Sequence, residues 1–452
     1  MPAEDLRTSI AGLMGRARTD LAELVAFRSV ADPKQFPAEE CEKAAHWVVD
    51  AFTEVGLQDV TMAPTPDGSH AVHGYAPGPE GSPTVLLYCH HDVQPPLGED
   101  AWTVPIWELT ERDGRWYGRG SADCKGNIVM HLTALRALRD NGGFPCGVKL
   151  ISEGSEEQGT GGLEAFVPEN ADLLRADTIL VVDTGNFAVG IPTLTSTLRG
   201  MTSVDVTVRG LASAMHSGMF GGPAPDSLVG LIQMLASLHD EHGNTTVDGL
   251  DASQTWSGVD YPAEQFRKDA TVLDGVELMG DGAVADMLWA RPSATVIGVD
   301  APHVIGSSAA VQASATARVS LRLPPGTTGK DAQDALVAHL ESRVPWGLQC
   351  EIERVAIGDP FVGSLEGPAF ESLKAALEEA FGREMTTEGQ GGSIPLCNVL
   401  AETYPDAAIF LMGVEEPKCL IHAPNESVDP SEIEHLALAE ALFLEKYAAA
   451  SR

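Results

Sequence analysis

Basic residues are scarce in this chain. Its 452 residues carry 29 Lys and Arg against 65 Asp and Glu, a net charge of −36 with the histidines neutral. A field of that sign repels phosphate backbones and anionic lipid surfaces, so neither nucleic acid nor a membrane is expected as a partner. Long apolar runs are missing as well: none reaches about 18 uninterrupted residues, the length a membrane span requires. The opening segment, MPAEDLRTSIAGLMGRARTDLAELVAF, has acids where a secretory signal has a basic stretch and an apolar run. Paired cysteines are also absent. Cys41, Cys89, Cys124, Cys146, Cys350, Cys397 and Cys419 are odd in number, scattered, and form no C-x-x-C. That pattern argues against a disulfide framework or a thiolate zinc site and fits a reducing cytoplasm. What remains is 44% apolar and 21% charged, the composition of a globular protein with room for two or three domain-sized units.

Apolar positions recur every three or four residues over 5–27 and 38–56, which predicts two amphipathic helices. The short apolar runs VTMAP, TVLLYCHH, VKLISEG and TILVVDTGN follow, alternating with a helical stretch over 126–140. Strands alternating with helices predict an α/β unit: a mostly parallel sheet flanked by helices, with its chemistry at the carboxyl ends of the strands. From about Thr195 the pattern becomes strand, helix, strand, strand, helix, strand: TSVDVTVRG, SLVGLIQMLASLHD, SATVIGVD, SATARVSLRLPP, residues 330–342 and LQCEIERVAI. This is a ferredoxin-like order, expected to form an inserted α+β domain. The α/β pattern then resumes with helices over 370–381 and 431–447 around the run AIFLMGV. The expected organisation is 1–194 and 359–452 as one split domain, with 195–358 inserted.

Polar residues that can carry chemistry stand where the apolar runs stop. His90-His91-Asp92 ends TVLLYCHHDVQPP, although a chain with 13 histidines and 65 acids holds about two H-x-acid pairs by chance. Asp123 stands in the glycine-punctuated loop WYGRGSADCKGN before a helix, where it could equally be a capping aspartate. Cys124 beside it has no second cysteine at ligand spacing and reads as a small packed residue. Glu156-Glu157 follows VKLIS, Asp183 ends TILVV, and His422 ends CLIH before the last helix. Each signal alone is modest. Together they place two histidines and several carboxylates at the ends of five elements, a mixed N/O donor set suited to zinc, manganese or cobalt. Such a set can hold two ions about 3.5–4 Å apart through one shared carboxylate and leave one acid free as a base.

The ordered series H-x-D-V-Q-P, Y-G-R-G-x-x-D-x-K-G, E-G-x-E-E-x-G, a strand-end Asp, H-S-G-x-F-G-G, G-G-S-I-P and H-x-P-N-E resembles the carnosinase-like dipeptidases. These belong to the dinuclear metallopeptidases that also include aminoacylases, succinyl-diaminopimelate desuccinylase and glutamate carboxypeptidase. The resemblance spans about residues 86–427 and implies a lid and dimerisation role for the inserted domain. It implies Asp123 as bridging ligand, His90 and Asp183 at one metal, Glu157 and His422 at the other, Glu156 as general base and Asp92 behind the site. It places a cis peptide at Asp123-Cys124. It further implies His216 as an oxyanion donor reaching in from a partner subunit, and Arg322, Ser393 and Gly392 as contacts to the substrate's free carboxylate. Two divalent ions are expected, Zn2+ foremost, with Mn2+ or Co2+ as alternatives.

Two departures bear on selectivity. Gln390 stands where these enzymes carry an acid in E-G-G-S-I-P, and Ala309-Ala310-Val311-Gln312 replaces their T/N-V-I-P segment. The expectation is a cytoplasmic, homodimeric metallo-dipeptidase for small peptides with a free carboxylate. An N-acyl-amino-acid amidohydrolase using the same site is the alternative.

Overall fold

The computed structural model describes residues 3–392 and 394–451, so the expected contact Ser393 lies outside the described residues. The chain divides into two compact units, Met1–Ser196 with Gly363–Glu388 and Leu396–Arg452, and Thr197–Val362 with Gly389–Pro395.

In the first unit, apolar runs become strands covered on both faces. Thr84–His90 is buried from its second residue onward, and Thr178–Val182 is buried throughout. Side chains alternate between the faces of a strand, so uninterrupted burial means that both faces are packed. Gly147–Glu153, Thr84–His90, Thr178–Val182 and Ala408–Met412 are neighbours in that order, and all three pairings are parallel. Outside this centre the pairings are antiparallel. His70–Ala76 joins Gly147–Glu153 and Gln58–Pro64, and Thr193–Leu198 joins Ala408–Met412. The centre is thus parallel as expected, but HAVHGYA, which carries no uninterrupted apolar run, is an unanticipated strand. Parallel register aligns the strand ends, with His90 opposite Glu153 and Val182 opposite Met412.

Helix Lys125–Asp140 is buried along nearly its whole length and packs against helices Ala3–Ala26 and Pro430–Ala450. Its first turn fixes the position of the loop before it. The capping residue is Cys124, which makes no side-chain cap, so Asp123 is not a capping aspartate.

The second unit has the expected order. Strand Gly200–Arg209, helix Ser227–Ala236, strands Ser293–Asp300 and Ser314–Leu323, helix Gly329–Glu341 and strand Gln349–Gly358 follow one another. The four strands form an antiparallel sheet in the spatial order 293–300, 314–323, 200–209, 349–358. Ser314–Leu323 alternates buried and less buried positions, the signature of a sheet packed on one face only. Asp226 and Thr328 cap the two helices by accepting backbone N–H bonds from Leu228 and Asp331.

The joints differ from the expected 194/195 and 358/359: the second unit begins at Thr197, ends its main span at Val362 and takes in Gly389–Pro395. Gly389 explains the last point. A Cβ there would stand 2.9 Å from Trp289 and from Thr197 Oγ1, so only a glycine lets this segment lie against the unit. Within 240–291, Trp289 packs against Trp256 and stacks on Tyr261. Among the described residues no helix is long and apolar enough to cross a membrane, and all seven cysteines are unpaired.

Candidate metal centre

Five segments of the first unit deliver polar groups to the carboxyl ends of its central strands. His90 is the last residue of its strand. Glu156 and Glu157 begin a short turn of helix three residues beyond Gly147–Glu153, and Asp183 follows Thr178–Val182 directly. Asp123 comes from the loop before the buried helix, and its peptide bond to Cys124 is cis. His422 departs from the expected strand end. The run CLIH is loop, and Leu420, His422 and Asn425 all have positive φ, a conformation that costs non-glycine residues of order 1–3 kcal/mol each.

The five expected ligands converge. Nε2 of His90 lies 2.9 Å from Oδ1 of Asp123 and 3.1 Å from Oδ1 of Asp183. Nε2 of His422 lies 3.0 Å from Oδ2 of Asp123 and 3.1 Å from Oε2 of Glu157. The two oxygens of Asp123 therefore face different imidazoles, each accompanied by a different second carboxylate. Asp92 backs this arrangement. Its Oδ1 is 3.3 Å from Nδ1 of His90, and its two oxygens accept the backbone N–H groups of Glu156 and Glu157 at 3.2 and 3.1 Å.

Glu156 and Glu157, adjacent in sequence, are held differently. Gln94 donates its backbone N–H to Oε1 of Glu157 at 3.1 Å and its side-chain amide to Oε2 at 2.8 Å. These two bonds hold the Glu157 carboxylate in one orientation. Among the described residues no such pair of donors clamps the Glu156 carboxyl, whose pKa is pushed well above the usual carboxylate range by burial and the nearby Asp183.

The charges explain why this cluster suits cations. Asp92, Asp123, Glu156, Glu157, Asp183 and Glu415 stand around only two imidazoles, most of them deeply buried. Burial, then Asp123, pushes Glu157 up to about 7, and burial raises Asp183. Hydrogen bonds to Asp123 and Glu157 lift His422 to about 11. Burial opposes ionisation of Asp123, but hydrogen bonds from His422 and His90 hold its carboxyl well below the usual range. Excess buried negative charge of this kind is relieved by cations. Candidate ligand atoms of His90, Asp123 and Glu157, and separately of Asp123, Asp183 and Glu415, lie within 4.8 Å of one another. The donor set therefore fits two divalent ions sharing Asp123. Cys124 is also near His90 and Asp183, but its thiol donates to Val182 O at 3.3 Å and accepts from Asn127, as a packed residue does.

Three contributors escape the sequence reading. Glu415 is one. Arg119 and Glu426 are the others, a buried ion pair at 2.7 Å. The Glu426 carboxylate also accepts the backbone N–H groups of Gly120, Ala122 and Asp123 at 2.9, 3.0 and 3.1 Å, pinning the loop that presents Asp123 to the loop that presents His422. Arg119 and Glu426 stand inside the quoted motifs, but nothing in their spacing shows that residues 307 apart pair.

The remaining expected residues belong to the second unit. His216 is exposed at the end of a two-residue strand, and its Nδ1 accepts the backbone N–H of Gly218 at 3.1 Å. Arg322, opposite Ser293 and Met201 in the sheet, is half-buried and has no ion-pair partner among the described residues. Arg199, buried nearby, donates to Ser293 Oγ and also lacks an acidic partner among the described residues. A Cβ at Gly391 or Gly392 would meet nothing within 4 Å, so the backbone there is open to approach.

The family described as Peptidase family M20/M25/M40 matches residues 86–446. The chain is 44% identical over 434 residues to a protein of Corynebacterium striatum named cysteinylglycine-S-conjugate dipeptidase, covering 95% of this chain and 94% of that one. It is 26% identical to the Cys-Gly metallodipeptidase dug1 of Schizosaccharomyces pombe, covering 85% and 86%. Among solved structures, human carnosine dipeptidase 1 is similar in fold, with a TM-score of 0.81, 24% identity and 99% of both chains covered.

Proposed function

The chain belongs to the M20/M25/M40 peptidase family, and from that premise we propose that it is a dinuclear metallo-dipeptidase cleaving the amide bond of small peptides with a free carboxylate. The observation that carries this reading is the placement of Asp123, one oxygen facing His90 and Asp183 and the other facing His422 and Glu157.

His90, Asp123 and Asp183 would hold one divalent ion, and Asp123, Glu157 and His422 the other. Zn2+ is foremost for a mixed N/O set, with Mn2+ and Co2+ as alternatives. Bound there, two divalent ions would supply Lewis acidity toward the scissile carbonyl and would lower the pKa of a water toward neutral. Glu156 takes a proton from the attacking water and returns it to the departing amine. A raised pKa suits both halves of this shuttle. Asp92 fixes the His90 ring through Nδ1 and holds the backbone of Glu156 and Glu157 in place.

Arg322, Gly392 and Ser393 are assigned to the substrate carboxylate. An arginine with no acidic partner in so acidic a chain supports that role, since a guanidinium fork matches a planar carboxylate. The second unit is assigned to a homodimer. Its edge strand Ser293–Asp300 exposes Ile297 and Val299, and helix Ser227–Ala236 exposes Val229 and Ile232. In such a dimer His216 donates to the developing oxyanion from the partner subunit. Free cysteines and strong negative charge support a cytoplasmic setting without nucleic acid or membrane partners.

The name of the 44% identical relative puts Cys-Gly and its S-substituted forms first among test substrates. The neutral Gln390 keeps one rival in play, an amidohydrolase of N-acyl amino acids. Turnover of Cys-Gly conjugates and other dipeptides is to be compared with that of their N-acetylated amino-acid analogues. Faster cleavage of the free-amine dipeptides is expected, and preference for the acylated compounds would overturn the dipeptidase reading.

A further inference from the structure

Ala408–Met412 and Thr178–Val182 are parallel neighbours, and their paths stay together beyond the strand ends. Met412 O accepts the Asp183 N–H at 3.1 Å, Gly185 and Glu415 form an isolated parallel bridge, and Glu415 O accepts the Asn186 N–H at 2.8 Å. Glycines on both sides permit this approach. A Cβ on Gly185 would stand 2.2 Å from Glu415 O, and one on Gly413 would stand 2.0 Å from Thr184 O. The result is a second strand-end acid delivered beside Asp183.

Glu415 is 7% exposed, yet its Oε1 has no hydrogen-bond partner among the described residues. Burying an ionisable oxygen without a partner is costly, and native structures leave few such groups without a reason. Candidate ligand atoms of Asp123, Asp183 and Glu415 lie within 4.8 Å of one another. The proposed mechanism uses the first two and leaves the third unexplained.

We propose that Glu415 is an additional carboxylate donor to the ion held by His90, Asp123 and Asp183, a role that rests on the two-ion reading of the site. The two positions then differ in chemistry. One offers a single imidazole and three carboxylates, and the other a single imidazole with Asp123 and Glu157. The richer oxygen set suits a harder ion, so Glu415 raises the affinity of the His90 position for Mn2+ more than for Zn2+.

The test is metal binding to the full-length protein stripped of metal. Mn2+ is titrated with detection of the free ion by electron paramagnetic resonance, and Zn2+ by competition with a chromophoric chelator. The wild type is expected to bind two Mn2+ per chain. Glu415→Gln is expected to weaken one of them by about tenfold or more, to leave the other unchanged, and to lose less for Zn2+. If Glu415→Gln does not fold, Glu415→Asp, which keeps the charge on a shorter arm, is measured in the same way and is expected to weaken the same single Mn2+. A wild type with two ions whose variant binds both as tightly would overturn the role of Glu415. A wild type that takes up fewer than two ions would instead overturn the two-ion reading of the site.

Discussion

The two sheets of this protein use strands in opposite ways. In the first unit, Thr84–His90 is buried on both faces from its second residue onward and Thr178–Val182 throughout, so the residues that can carry the site stand where the strands stop. In the second, Ser293–Asp300 exposes Ile297 and Val299 on an edge strand. A doubly covered sheet offers rigid, aligned ends on which a site can be held to fractions of an ångström. An open sheet offers a surface suited to another chain. On the proposed reading, the metal chemistry falls to the first unit and self-association to the second because their sheets are covered differently.

Breaking the chemical side should have the largest effect. Glu156→Gln is expected to lower kcat by about 10³-fold with both ions retained, read by steady-state kinetics and metal analysis. Next comes the doubly packed sheet itself. Leu87→Ala should destabilise the protein by about 2–5 kcal/mol in denaturant unfolding. On the association side, His216→Ala is expected to lower kcat by about 10²-fold. Mixed dimers with Glu156→Gln should regain part of the activity, and no recovery in verified mixed dimers would count against action in trans.

A smaller effect sharpens the comparison through pH. Burial pushes Glu157 up to about 7 and Glu153 up to about 8, from 4.5 when unburied. His422 is lifted to about 11 from 6.5 by Asp123 and Glu157. Each group keeps a proton in the folded state that the unfolded chain has released, so stability falls as pH rises through these values. The melting temperature of the metal-free protein should therefore drop from about pH 5 through the values of Glu157 and Glu153 and on toward that of His422, about 11, and Zn2+ or Mn2+ should flatten that drop. The smallest effect belongs to the open face. Ile297→Ala should leave the stability of the chain within about 0.5 kcal/mol while weakening self-association in sedimentation.

Much of this was legible because burial writes itself into sequence. TVLLYCH and TILVV stop at His90 and Asp183, and strand alternation announces the βαββαβ order of the second unit. The same rule, an apolar run followed by an acid, also reaches Glu415 directly after AIFLMGV, although two residues separate it from the strand end at Met412 and the family resemblance has no role for it. His422 was singled out by the apolar run CLIH and again by its motif, yet it lies in a loop held by left-handed residues and not at the end of a strand. His70–Ala76 lacks an apolar run and gave no signal as a strand. The pairing of Arg119 with Glu426 depends on chain paths that no local pattern encodes.

The central claim is that Asp123 is shared between two ions. Calorimetric titration of Zn2+ into the metal-free wild type, Asp123→Asn and Asp183→Asn tests it most directly. The account predicts two tight ions per wild-type chain, the loss of one with Asp183→Asn, and the weakening of both with Asp123→Asn. An Asp123→Asn variant that binds two ions as tightly as the wild type would contradict it.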